Sequence, residues 1–156
     1  MGGYLFLSRY IFPPAKEIKA NLEVKVFYFK RGKLFAVPRP LRADEVPLKK
    51  AIVELLAGPT EKETAKGIVS YLPTAVKLIN LKVQGNTAIL NFNQELENYG
   101  GGSARLQGMI AQIVFTATDI PGIEKAWIWM EGQKEIVLGG EGLVLDHPLT
   151  RREISY

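Results

Sequence analysis

The alternation of apolar and polar positions is clearest at residues 22–29. Leu22, Val24, Val26 and Tyr28 take one face and Glu23, Lys25, Phe27 and Phe29 the other, the period-two pattern of a strand that is apolar on both faces toward its end. Arg31-Gly32 predicts a tight turn into a second run at residues 34–37, which Pro38 and Pro40 stop or confine to a sheet edge. The period then changes. Leu48, Ile52, Leu55 and Leu56 recur at helical spacing, with Lys49, Lys50 and Glu54 on the opposite face. Asp44 is suited to cap this helix, and Pro47 is tolerated in its first turn. Residues 76–83 and 87–92 flank Gly85-Asn86, a Gly-X pair suited to a type II′ hairpin. Three glycines, 100–102, precede Ser103, a good N-cap, and the following helix turns Leu106, Ile110, Ile113, Val114 and Ala117 toward a core before Pro121-Gly122. Residues 126–131 and 134–138 predict a third hairpin across Gly132-Gln133.

The order ββ-α-ββ-α-ββ predicts an α+β fold: one antiparallel or mixed sheet built from three hairpins, with two helices packed on one face. The recurrence of hairpin and helix is a pseudo-repeat of architecture, since the halves share no detectable sequence identity.

The joint between the first helix and the second hairpin, residues 55–73, reads LLAGPTEKETAKGIVSYLP. Leu55 and Leu56 end an apolar helical face, Gly58 supplies the backbone conformation that terminates a helix, and Pro59 cannot continue one. Gly67, Ile68 and Ser70 lead to Leu72-Pro73, where the residue before proline is pushed toward extended geometry. This segment resembles the signature of the GerMN domain family of sporulation and spore germination. Three further blocks follow in the same order: Ala88-Ile89-Leu90-Asn91-Phe92, the GGGSA helix opening with its run through Thr116, Ala117 and Thr118 to Pro121-Gly122-Ile123, and the ending HPLTR at residues 147–151. The likeness covers residues 22–152. It implies a role outside the cytoplasm of bacteria, in envelope or germination machinery, and no catalytic residues. It also implies a fold similar to the ring-building domains of sporulation secretion systems, hence interaction rather than turnover. Many members of the family are lipoproteins or follow a membrane anchor; this sequence carries no lipobox cysteine.

A chain of 156 residues, 47% hydrophobic and 23% charged, fits one folded domain without a linker. Residues 22–156 are assigned to that domain and residues 1–21 to an N-terminal segment. Within it, YLFLSRYIF at residues 4–12 is interrupted by Arg9. It is shorter than the roughly 20 residues a spanning helix needs, and it lacks the basic leader and small-residue cleavage site of a signal peptide. It is expected either to pack on the domain or to be the remnant of an export or anchoring region.

Charge and chemistry add little that points to turnover. With no cysteine, disulfides, thiolate metal sites and a cysteine nucleophile are excluded. The net charge of +4 is modest, but Lys30, Arg31, Lys33, Arg39, Arg42, Lys49 and Lys50 fall close together and define a candidate basic rim. A solvated face is the ordinary outcome for such a run. The GGGS loop lacks the Gly-Lys-Ser/Thr end of a nucleotide-binding loop. Ser103 or Ser70, His147, and Asp119 or Asp146 offer the residue types of a hydrolytic triad, without a G-x-S-x-G elbow. A single histidine argues against a histidine metal site. Glu61 with Glu63, and Glu95 with Glu97, read as solvated pairs, since neither is set in apolar sequence that raises a carboxylate pKa.

Trp127 and Trp129 stand out. They share one face of a short strand with Lys125 and Glu131, while Ala126, Ile128 and Met130 take the other. If the second set faces the helices, two indoles lie on an open sheet face, where aromatic side chains anchor partners. The competing expectation is intramolecular: the indoles cover the sheet together with Phe27 and Phe29, or receive residues 4–12. The residues predict a non-catalytic binding domain with no cofactor and no metal, and the resemblance implies that it is extracytoplasmic. Its expected partner is an envelope or sporulation protein or a second copy, with membrane contact only through an anchor outside this sequence. The partner-binding candidates are Trp127, Trp129, Lys30, Arg31, Arg39 and Arg42. The alternatives are a cell-wall hydrolase, or an anion or single-strand nucleic-acid binder using the basic rim with Phe35; no nucleic acid is expected.

Overall fold

The computed structural model describes residues 22–140 and 142–154. Strands β1 (Glu23–Lys30) and β2 (Lys33–Pro40) pair antiparallel across the Arg31-Gly32 turn, both of whose residues have positive φ (54° and 76°), the type I′ geometry that matches strand twist. Helix α1 (Pro47–Ala57) follows, then a short helix α2 (Glu61–Ala65) and a two-residue strand β3 (Ile68–Val69) that pairs with the end of β1. Strands β4 (Leu78–Gln84) and β5 (Thr87–Phe92) form the second hairpin. Helix α3 (Ser103–Thr118), β6 (Lys125–Met130), β7 (Ile136–Leu138) and β8 (Leu143–Leu145) complete the order, with 3-10 turns at Gln94–Glu97 and Arg151–Glu153.

The fold is mixed α+β, but it departs from a single sheet of three hairpins. Among the described residues three small sheets occur, ordered β2-β1-β3, β4-β5-β6 and β7-β8. The third predicted hairpin does not form: β6 runs parallel to β5, and its return leg touches it only at Met130 and Gln133, across a Glu131-Gly132 turn. The outer edge of β6 is held at its other end by Leu149, so β7 pairs with β8 instead. Helix α3 is the hub: it packs on β1, on β6 and on α1, and Leu106, Met109, Ile113, Val114 and Ala117 are buried in one core with Val26, Tyr28, Ile52, Leu90, Phe92 and Ile128.

Two polar side chains of α3, Gln112 and Thr116, are fully buried. They do the work of a missing strand. Strand β3 reaches β1 only at Phe29 and Lys30. One step back, the Phe27 N–H donates to Thr116 Oγ1 (3.0 Å) and its carbonyl accepts from Gln112 Nε2 (3.1 Å). Buried backbone groups must be paired, and here a helix pairs them.

Neither predicted cap side chain acts as one. Val46 occupies the N-cap of α1 in an extended conformation, as a residue before proline must, so Pro47 fixes the start and Asp44 pairs with Arg42 (3.4 Å) instead. At α3 the boundary residue is Gly102, at φ 89°, and Ser103 is already helical. The positive φ of Gly100, Gly101 and Gly102 is an approach that a side chain would strain.

Candidate interaction surface

The sheet β4-β5-β6 turns one face to the core and the other away from it, and on the outer face Ile89 and Asn91 are buried beneath neighbouring side chains. Cross-strand neighbours share a face, and the registers give inner rows Leu81, Leu90, Ile128 and Val83, Ala88, Ala126. Ala126, Ile128 and Met130 are buried, so the indoles of Trp127 and Trp129 stand on the other side, half-buried. That face carries the rows Lys82, Ile89, Trp127 and Asn80, Asn91, Trp129.

The two indoles meet edge to face, with centroids 5.5 Å apart and planes at 87°, the arrangement the ring quadrupoles favour. Trp127 Nε1 donates to the Lys134 carbonyl (3.2 Å), while Trp129 Nε1 is buried without a hydrogen-bond partner among the described residues. The ammonium groups of Lys82 and Lys134 lie 5.5 and 5.3 Å from the centre of the Trp129 ring, cation–π distances. A shallow recess of about 210 Å³ opens beside it, lined by Asn80, Lys82, Ile89, Asn91, Trp129 and Gly132. Phe27 and Phe29 do not cover the indoles. They belong to the other sheet, where Phe27 packs on Phe115 (5.7 Å) and Phe29 stacks on Tyr71 (4.7 Å). Residues 4–12 lie outside the described residues.

The structure takes the basic rim apart. Lys30 and Arg31 sit at the β1–β2 turn, with Lys30 over Phe35 (5.2 Å). Arg39 is six residues along β2, roughly 20 Å away at the rise of a strand. Register puts it opposite Val24, on the buried face. Its guanidinium grips Glu63 through two bonds (2.7 and 2.8 Å) and reaches Glu54 at 3.3 Å. Arg42 is exposed but pairs with Asp44 and, at 3.9 Å, with Glu45. Arg39 is therefore a structural residue and not part of a solvent-facing rim.

Nor is Glu63 a solvated charge. The Arg39 hydrogen bonds hold its carboxyl down at about 2. The same side chain closes a capping box with Thr60 at the start of α2, accepting the Thr60 N–H at 2.9 Å. The T-x-x-E spacing of Thr60 and Glu63 is the sequence signal for that box, and it was available before the fold. Beneath, burial pushes the Tyr28 hydroxyl up to about 12 although Arg39 opposes it, and that hydroxyl donates to the Glu54 carbonyl (2.9 Å).

The residue types of a triad are not assembled. His147 contacts Asp146 through Nδ1 and Glu153 through Nε2, both at 2.8 Å, and is exposed. These two carboxylates hold its pKa above the ordinary imidazole value. Ser70 Oγ accepts from Gln112 Nε2 (3.0 Å) and from the Leu72 N–H (3.2 Å), and Asp119 faces Arg151 (3.7 Å). A cavity of about 260 Å³ beside His147 is walled mainly by Ile110, Leu143, Val144, Leu145 and Leu149. Among the described residues no helix is long and apolar enough to cross a membrane, and no group of three or more His, Cys, Asp or Glu is placed to hold a metal ion.

This is an α+β scaffold with one paired-tryptophan sheet face. The Germane family model, described as sporulation and spore germination, matches residues 24–136, and the chain belongs to that family. Among solved structures, the first GerMN domain of the sporulation protein GerM from Bacillus subtilis superposes with a TM-score of 0.69 at 21% identity, over 85% of this chain and 99% of that one. The tandem GerMN domains of the same protein give 0.65 at 24% identity, over 83% of this chain and 45% of theirs. A Clostridium perfringens protein described as a lipoprotein gives 0.61 at 22% identity, over 85% of this chain and 90% of that one. These likenesses bear on the fold alone. No curated protein matches the chain.

Proposed function

We propose that this domain is a non-catalytic binding module of the sporulation or germination machinery. It works outside the cytoplasm at the cell envelope and engages another envelope protein, or a second copy, through the outer face of β4-β5-β6. Family membership supports the process. The observation that carries the binding role is the pair Trp127 and Trp129, half-buried on the face of the sheet turned away from the core. Large aromatic side chains at such positions dominate interface energetics.

The test is a photo-cross-linking residue at Lys125, which is exposed and on the indole face, in the full chain in its own sporulating cells. The same residue at the exposed Lys49 of α1 serves as control. A discrete adduct from position 125 and none from position 49 supports the reading. Adducts from 49 alone, or from neither, contradict it.

A further inference from the structure

Strand β4 is the longest outer strand without a proline or a bridge on its free edge; β7 and β8 have three residues each. Among the described residues nothing pairs with its outer edge, whereas β2 carries Pro38 and Pro40, β3 has two residues, and β6 is bridged at both ends by Leu149 and Gln133. Five of its seven residues are exposed, including Ile79 and Val83 at about half of their full area, while β5 beside it is almost wholly buried. The two-residue hairpin is closed by Gln84 and Thr87, so the alternation of an antiparallel ladder makes Lys82·Ile89 a hydrogen-bonded pair and leaves the backbone N–H and C=O of Leu81 and Val83 pointing outward. A segment able to add a strand thus finds open hydrogen-bonding groups and apolar side chains together.

Charge selects the segment. Residues 77–84, KLINLKVQ, contain two lysines and no acid. Lys82 lies on the indole face, and Lys134 brings a second ammonium to the same Trp129 ring. Antiparallel pairing of β4 with a second copy brings the two Lys82 ammonium groups onto one ribbon, which like-charge repulsion opposes. An acidic side chain opposite Lys82 is favoured instead. The displacement at Ile79, where the register shifts between Leu78 and Asn80, confines regular pairing to residues 80–84.

We infer that β4 accepts, as a fourth strand of its sheet, an extended segment of a partner protein in which acidic residues alternate with apolar ones. The acidic residues face Lys82 and the indoles, and the apolar residues cover Leu81 and Val83. This rests on the reading of the β4-β5-β6 face as an interaction surface and adds the chemistry and geometry of the partner.

The experiment uses the full chain with two synthetic peptides, Val-Glu-Val-Glu-Val-Glu-Val and its Val-Lys counterpart, followed by amide hydrogen exchange and titration. The Glu peptide is expected to bind and to slow exchange of Leu81 and Val83. Lys82→Glu, an exposed change that leaves the fold intact, is expected to weaken the Glu peptide about fivefold and to favour the Lys peptide, as one cross-strand charge pair allows. Four results overturn the inference: equal binding of the two peptides, no binding, protection that maps away from β4, or Leu81 and Val83 amides already protected without peptide, through dimerisation or through another segment of the chain. A cross-link from Lys125 in cells together with any of these leaves the interaction surface standing and removes strand addition alone.

Discussion

The side chain of Gln112, at the centre of α3, is bonded to the backbone of Phe27 on β1: its Nε2 donates to the Phe27 carbonyl at 3.1 Å. Its Oε1 meanwhile accepts the Tyr71 N–H at 2.8 Å, and Nε2 also reaches Ser70 Oγ. One buried amide therefore ties β1 and the chain leaving β3 to the helix that also supports β6. Replacing it by an apolar residue of similar size leaves a carbonyl and an N–H desolvated without partners, each worth about 1–3 kcal/mol. Gln112→Leu is expected to lower stability by about 3 kcal/mol in urea unfolding, with Thr116→Val costing about 1–2 kcal/mol. A loss below about 1 kcal/mol for Gln112→Leu contradicts the role given to it.

Gly108, one turn before Gln112, has no room for a methyl group. A Cβ there lies 2.7 Å from Tyr71 Cε2 and 3.3 Å from Phe29 Cε2, against two rings that are stacked on each other. In an exposed helix Gly→Ala stabilises by about 1 kcal/mol, whereas here the crowding reverses the sign. Gly108→Ala is expected to destabilise by about 1–2 kcal/mol. Combined with Tyr71→Ala, its own effect turns neutral or favourable, a coupling that a double-mutant cycle measures.

The bond between Arg39 and Glu63 predicts an acid-labile component of stability. Glu63 has its pKa lowered from 4.5 to about 2, first by the Arg39 hydrogen bonds. A depressed carboxylate contributes stability that is complete above its unfolded value and is lost as pH falls from about 4.5 through about 2. Glu63→Gln is expected to cost about 2–3 kcal/mol at pH 7. The gap to the unmodified chain should narrow steadily below pH 4.5; a gap independent of pH contradicts the assignment.

Much of this could be read before the fold. The periods located β1, β2, α1, α3 and the β4–β5 hairpin because each presents one apolar face to a single core, and local pattern reports that directly. What pattern does not report is which strand edges meet. Nothing local to 126–138 distinguishes a hairpin from a strand that turns away, because the choice depends on β5 offering a parallel edge and Leu149 occupying the other. The arginines show the same limit. Arg39 was grouped with the basic rim by its charge and its nearness in sequence to Lys30, Arg31 and Arg42, and what buries it, an acidic partner 24 residues further along the chain, is not local. On β6, by contrast, alternation separated Ala126, Ile128 and Met130 from the two tryptophans, and the structure adds that the first set is the one turned to the core.

The Arg31-Gly32 turn offers a local test of the hairpin geometry. Arg31 sits at φ 54°, in the left-handed region where a long side chain costs about 1 kcal/mol more than glycine or asparagine. Arg31→Asn is expected to raise stability by about 0.5–1 kcal/mol with the fold unchanged. A loss of stability implies that the guanidinium makes a contact that outweighs the backbone strain.

Trp127 and Trp129 either serve contact or hold the fold, and a variant carrying Trp127→Ala with Trp129→Ala separates the two. The decisive measurement is the yield of the Lys125 cross-link in cells from this variant, once its cooperative unfolding is verified in vitro. The expected result is a folded domain, less stable by about 2–3 kcal/mol for the half-buried area removed, whose cross-link falls at least tenfold. A variant that fails to fold, or one that folds and cross-links undiminished, contradicts the claim that this face is where the domain works.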